Sequence, residues 1–269
     1  MRIFNKASIL TIACSISMSV FGSNIQNVQE IAEISWCPQI CPNNSEHPGY
    51  ISEILNETIH GLETKFIRNE YPWSRAINNV VKGKSIALSA PAKQEAPNLI
   101  YPNIPIGIQR MCFFVNQQSN WAYTGVESLR GVIVGIASDT SIEELNQHAK
   151  SYPENFQYQP YHDRFISQNV KKLNKGRIDT FIFTRNSTLY ELKKLGLHDE
   201  VKIAGCVSSA PVYIAFSPAE QKRDLSIALA DLFDQRMLQL IKENKVNSIL
   251  SKYQVGFNAQ DLLRYRNSN

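Results

Sequence analysis

Two short apolar stretches constrain this chain more than any other feature. They are Arg110–Asn116, reading Arg-Met-Cys-Phe-Phe-Val-Asn, and Pro211–Pro218, reading Pro-Val-Tyr-Ile-Ala-Phe-Ser-Pro. Both predict strands, and they flank a middle segment that alternates β and α on its own account. Side by side, they would carry the chain out of one lobe and back into it. The expected architecture is α/β with two lobes, each a mostly parallel sheet flanked by helices, joined by a two-strand hinge. Such a hinge suits closure around a ligand.

The first residues stand apart from the fold. Arg2 and Lys6 precede an apolar run, Ala7–Phe21, that is too short to span a bilayer comfortably, and cleavage is expected after Gly22. Residues 1–22 therefore read as a signal peptide, and the mature chain as periplasmic. Of 28 basic and 24 acidic residues, none form a run of like charge. This argues against a nucleic-acid footprint, and no later segment is apolar enough for a membrane helix. The expected state is a soluble monomer.

Four cysteines follow the leader: Cys37, Cys41, Cys112 and Cys206. Export permits disulfides, and four cysteines allow three pairings. Cys112 with Cys206 would staple the hinge region, and Cys37 with Cys41 would close a small local loop. A zinc half-site at Cys37 and Cys41 is disfavoured because no partner motif follows at suitable spacing. No metal site and no cofactor are expected.

Along the chain, strands are predicted at Glu33–Cys37, Thr64–Asn69 and Ser85–Ala90. The helices between them carry Ile51, Ile54 and Leu55, then Ala76, Ile77, Val80 and Val81, at helical spacing. In the middle segment, strands at Val132–Ser138, Asn155–Tyr161, Ile178–Thr184 and Val201–Cys206 alternate with helices at Ile142–Lys150, Phe165–Asn174 and Ser187–Leu195. A long helix over Ala219–Glu243 and a shorter one at Ser248–Tyr253 are expected to pack back on the first lobe. The predicted boundaries are 23–113 plus 213–257 for lobe 1 and 114–212 for lobe 2. Residues 258–269 read as a polar, poorly ordered tail.

Catalytic signatures are missing from the sequence: it has no G-x-S-x-G elbow, no H-E-x-x-H and no Walker-type loop. His47, His60, His148, His162 and His198 lack ligand spacing and read as surface or loop residues. What remains is binding chemistry. In open α/β sheets, ligands sit at the carboxyl ends of strands beside helix N-termini. That rule selects Trp36, Trp73, Arg75, Ser89, Ser138, Asp139, Thr140, Thr184 and Arg185, with Arg110 on the first crossover strand. The tryptophans offer apolar walls, the hydroxyls orientation, and the arginines a fork for an anion. Simple core packing is the competing role for each tryptophan, and a solvated helix position the competing role for Arg75.

Several of these residues carry a family resemblance. Gly49-Tyr50 precedes a helix, Pro72-Trp73-Ser74-Arg75-Ala76 leads to Lys82-Gly83-Lys84, and Tyr101-Pro102 precedes a crossover strand. Ser128-Leu129-Arg130-Gly131-Val132, Leu173-Asn174-Lys175-Gly176-Arg177-Ile178-Asp179 and Val212–Ser217 follow in the same order. Over Ile31–Tyr253 the chain resembles the bacterial extracellular solute-binding proteins of family 3. The resemblance implies a type II periplasmic fold, a ligand site that includes Tyr50, a small polar solute, and a transporter permease or a sensor's periplasmic domain as partner.

The departures from that pattern are specific. Where the family places the arginine that clamps an α-carboxylate, this chain has Ser89–Pro97 with Glu95 near the arginine's place. Where the family places an aspartate for the α-amino group, Thr184-Arg185 stands. Asp139-Thr140-Ser141 replaces the glycine-rich turn of the second lobe. The expected solute is therefore not a simple α-amino acid in the usual pose, and Arg75, Arg110 or Arg185 is expected to take over anion binding from another direction. A periplasmic dehydratase acting on cyclohexadienyl acids is the alternative on this fold, with Glu95 or Asp139 as general acid. A degenerate signalling module with an empty cleft is the third reading.

Overall fold

A computed structural model describes residues 28–138, 140–162 and 164–266. The predicted signal peptide and Asp139 lie outside the described residues.

The first sheet has the order β2-β1-β3-β9. Its strands are β1 (Val28–Glu33), β2 (Lys65–Glu70), β3 (Ala87–Ser89) and β9 (Ile214–Phe216). β1 pairs in parallel with β2 and β3, whereas β9 runs antiparallel to β3. Parallel pairing requires crossovers, and helices α1 (Tyr50–Ile59) and α2 (Trp73–Val81) supply them. Ile51, Ile54 and Leu55 of α1 are buried in one core with α6 (Arg223–Lys242) and α7 (Lys245–Lys252). Ala76 and Val80 of α2 pack on the opposite face of the same sheet with Ala32, Leu88 and Ala215. Both faces of this sheet are covered, as parallel sheets require.

The second sheet has the order β6-β5-β7-β4-β8. β4 (Gly107–Asn116) is the outgoing crossover strand, followed by β5 (Val134–Ala137), β6 (Phe156–Gln159) and β7 (Thr180–Thr184). β8 (Val201–Val212) closes the sheet. The connecting helices are α3 (Asn146–Ser151), α4 (Phe165–Asn174) and α5 (Arg185–Lys194). Phe113, Phe114, Phe165, Phe181 and Phe183 lie in its core. Two aromatic contacts bind strands to one another and to helix: Phe114 stacks on Phe181 at 5.2 Å, and Phe165 lies 4.9 Å from Phe183.

Three expectations need correction. The strand predicted at Glu33–Cys37 ends at Glu33, because Trp36–Ile40 folds into a tight turn. The Trp36 amide donates to the Ile40 carbonyl at 2.7 Å, and a Cys37–Cys41 disulfide closes the turn. The partner of the outgoing strand is not Pro211–Pro218 as a unit. β8 is one continuous strand of twelve residues, with Gly107 opposite Val212 and Asn116 opposite Val201. The chain changes sheets at Tyr213, whose amide donates to the Pro91 carbonyl, and Ile214–Phe216 then joins β3. Polar Ser208 and Ser209 hide this continuity, since a strand edge facing solvent shows no apolar alternation.

The third correction concerns the C-terminus. Ala259–Arg264 forms helix α8 rather than a loose tail. Asn258 and Asp261 make a reciprocal capping box that satisfies the first amides, and Ala259 and Leu262 are fully buried. No helix among the described residues is long and apolar enough to cross a membrane.

Candidate ligand-binding site

A cavity of about 780 Å³ lies between the two sheets. Its walls are the carboxyl ends of the parallel strands of both lobes. Trp36 follows β1, Trp73 follows β2, Ser89 ends β3, Ser138 and Thr140 follow β5, and Thr184 ends β7. These six expected residues converge because each strand of a parallel sheet points the same way, so all their ends meet on one side.

Four other expected residues, Tyr50, Arg75, Arg110 and Arg185, lie elsewhere. Tyr50 is fully buried in the first core, where its ring lies 5.9 Å from Phe257 and 6.2 Å from Tyr253. Gly107 leaves the room it occupies: a Cβ there would sit 3.2 Å from the Tyr50 hydroxyl. Arg75 is exposed on α2 and does not line the cavity. Arg110 and Arg185 line a second, smaller cavity.

The arginine that does line the large cavity is Arg164, at the N-terminus of α4, next to Tyr161 and His162. Among the described residues it has no ion-pair partner. The strand-end rule would have found it had it been applied to the strand ending near Tyr161. Gln109 of β4, with Glu70 and Tyr71 at the end of β2, completes the missed set.

Among the described residues, hydrogen bonds cross between the lobes at several places, two of them beside the cavity. At the first, the Trp36 indole N–H donates to Thr184 Oγ1 at 3.1 Å, and Gln39 Nε2 donates to Ser187 Oγ at 3.1 Å. These bonds join the disulfide-closed turn of lobe 1 to the first turn of α5. At the second, Glu95 Oε1 accepts from the Ser141 amide at 3.2 Å, while its Oε2 accepts from the Ala92 amide at 2.9 Å. Asn146 Nδ2 donates to Gln94 Oε1 at 2.9 Å beside it.

Electrostatics single out Glu95. Burial pushes its carboxyl up to about 7, although the Ala92 and Ser141 amides favour the charged form; nearby Glu143 adds to the rise. Glu143 is itself raised by burial and accepts from Gln109 Nε2 at 3.1 Å. A second polar feature is Ser89, whose hydroxyl is buried on the cavity wall without a hydrogen-bond partner among the described residues. Buried hydroxyls are ordinarily satisfied, so this group is poised for a bound molecule or water. Trp36, Trp73, Tyr161 and Phe183 supply the aromatic surface.

The Cys112–Cys206 disulfide lies midway along the β4–β8 ladder, where the two residues face one another across the strands. No group of three or more metal-ligating side chains occurs among the described residues.

No protein-family model matches the sequence, and no curated protein matches it. Solved structures do match the fold. A histidine kinase sensor domain with similarity to periplasmic binding proteins aligns with a TM-score of 0.69 at 15% identity, over 86% of this chain and 97% of its own. The structure reported for glutathione import by GshT and the cystine importer TcyBC of Streptococcus mutans gives 0.69 at 16% identity, over 87% and 97%. A putative L-cystine ABC transporter protein from Listeria monocytogenes gives 0.68 at 17%, over 86% and 98%. The chain has the two-lobed α/β fold of periplasmic binding proteins, the architecture implied by its resemblance to the family 3 solute-binding proteins.

Proposed function

We propose that this protein is an exported, periplasmic solute-binding protein that encloses a small polar solute between its lobes and presents it to a transporter permease or a sensor. The observation that carries this reading is the 780 Å³ cavity, walled by strand ends of both sheets and containing the unsatisfied Ser89 hydroxyl. Its size and its mixture of aromatic walls with a few polar groups suit a small organic solute. Arg164 and Glu95 put one group of each sign at the site, which favours a solute carrying both charges or none. Glu95 stands near the place of the family's clamp arginine and already holds the second lobe through Ser141. A free α-carboxylate therefore has no counter-ion there, and Arg164 is the group assigned to any anionic end. Closure is a population shift, in which the solute binds the closed arrangement better than the open one.

The test is to purify the mature protein from the periplasm without denaturation and identify the co-purifying small molecule by mass spectrometry. That molecule should raise the melting temperature when added back to refolded protein. An absence of any co-purifying solute, with no thermal shift across a panel of amino acids, peptides and organic acids, would instead leave the degenerate signalling module.

One observation favours a second reading. A carboxyl raised to about 7 in a cleft is partly protonated at neutral pH, as a general acid must be. Under this reading the protein is a dehydratase acting on cyclohexadienyl acids with Glu95 as proton donor. Product formation from prephenate or arogenate, abolished in Glu95→Gln, would establish it. Saturable binding without turnover returns the binding protein.

A further inference from the structure

A second cavity, of about 320 Å³, lies beside the hinge and, among the described residues, shares only Gln109 and Thr184 with the large one. Arg110 of β4 and Arg185 of α5 both line it. Their meeting follows from strand register. Met111 pairs with Thr184, so the next residue outward on each chain, Arg110 and Arg185, comes to the same end of the β4–β7 ladder. Ser209, opposite Arg110 on β8, lines the cavity as well.

This arrangement is costly unless something balances it. Like charges brought together across a ladder destabilise it. Among the described residues no acidic one lines the cavity, and neither arginine has an ion-pair partner. The first turn of α5 opens here too, with Arg185 and Asn186 on the wall and no side chain capping the helix. Its free amides and dipole add positive potential.

Gln39 is an independent pointer to a ligand. It is 2% exposed and lines the cavity, yet among the described residues its Oε1 has no hydrogen-bond partner. Its Nε2 is engaged with the Ser187 hydroxyl, which can donate or accept. Turning the amide over keeps that bond and leaves the NH₂ as a free donor towards the cavity.

We propose that this cavity is a second binding site, for a small organic anion with two or more carboxylates. Each guanidinium forks onto one carboxylate, Gln39 and the α5 amides take remaining oxygens, and Ile108, Val255 and Phe257 cover the carbon skeleton. Those apolar walls are the reason to prefer an organic polycarboxylate to inorganic phosphate. The anion would touch the hinge strand, the second lobe and the Val255–Phe257 segment that packs with the first core.

The test is titration calorimetry with citrate, succinate and inorganic phosphate, in buffer free of other polyanions. The proteins are wild type, Arg110→Gln/Arg185→Gln and Arg164→Gln, with circular dichroism confirming that each is folded. The expected result is saturable binding of citrate or succinate that weakens at least tenfold in the double variant and is unchanged in Arg164→Gln. Arg110→Lys should lose part of the affinity, because it keeps charge but not the fork. Three results would overturn the proposal: binding lost in Arg164→Gln but kept in the double variant, phosphate binding as tightly as the carboxylates, or no saturable binding at all. The first would place the carboxylate in the large cleft, beside Arg164; the other two leave the reading of that cleft untouched.

Discussion

Glu95 Oε1 accepts a hydrogen bond from the Ser141 amide at 3.2 Å, joining a connection of the first lobe to the strand-end turn of the second. The bond puts a carboxylate of the protein itself between the lobes, where the resemblance to solute-binding proteins leads one to expect a ligand-clamping arginine.

Stability should fall as pH rises through the range set by this group. The Glu95 carboxyl titrates at about 7 when folded, against an ordinary value of 4.5. Below 4.5 it is protonated in both states. Between 4.5 and 7 the folded protein holds a proton that the unfolded chain has lost, so each rise in pH favours unfolding, and above 7 the loss is complete. Because Glu95 is only partly buried, the effect is discounted to about 2 kcal/mol. Urea midpoints at pH 4.5 and 7.5 should differ clearly in wild type and much less in Glu95→Gln. Glu143, also raised by burial, gives a residual slope of the same sign.

Trp36→Phe keeps one aromatic ring of the indole and deletes the N–H bond to Thr184. Loss of one buried hydrogen bond costs about 1 kcal/mol, and the Thr184 hydroxyl can still reach water in the cleft. The expected outcome is a melting temperature lower by about 2–4 °C and a larger radius of gyration by small-angle scattering as the lobes part more readily. An unchanged scattering profile would show that this bond does not hold the lobes together.

Replacing both Cys112 and Cys206 with serine should cost more. The disulfide closes a loop with a sequence separation of 94 residues that contains most of the second lobe. Long closed loops give stabilisation on the order of 2–4 kcal/mol. Denaturant titration of the double variant measures the loss directly, and reduction of the wild type should reproduce it.

Arg164→Gln tests the assignment of the anionic end of the solute. The side chain is exposed and unpaired among the described residues, so the fold should be unaffected. Affinity for the co-purified solute should fall by about tenfold if a charge-assisted bond is lost. Ser89→Ala should weaken binding less, by a few-fold, and should stabilise the empty protein slightly, because an unsatisfied buried hydroxyl is removed.

Much of this fold is legible locally. Apolar spacing marks the helix Phe165–Asn174 with the same limits that it has in the structure. The strand-end rule gathers Trp36, Trp73, Ser89, Ser138, Thr140 and Thr184 into one cavity. Both depend on patterns within a few residues of one another, since side-chain periodicity is a property of the local backbone. The capping box at Asn258 and Asp261 is equally local, but the polar residues around it give no apolar period to mark a helix.

Chain pattern by itself determined the alternation of strands and helices, the two lobes and the side on which the cleft opens. Tertiary structure alone decided that β8 runs unbroken through Ser208 and Ser209 and that Glu95 meets Ser141. It also decided that Arg110 and Arg185 leave the cleft for a cavity of their own. These facts rest on register and on lobe-to-lobe packing. Both are set by contacts between residues far apart in sequence, so no local period reports them.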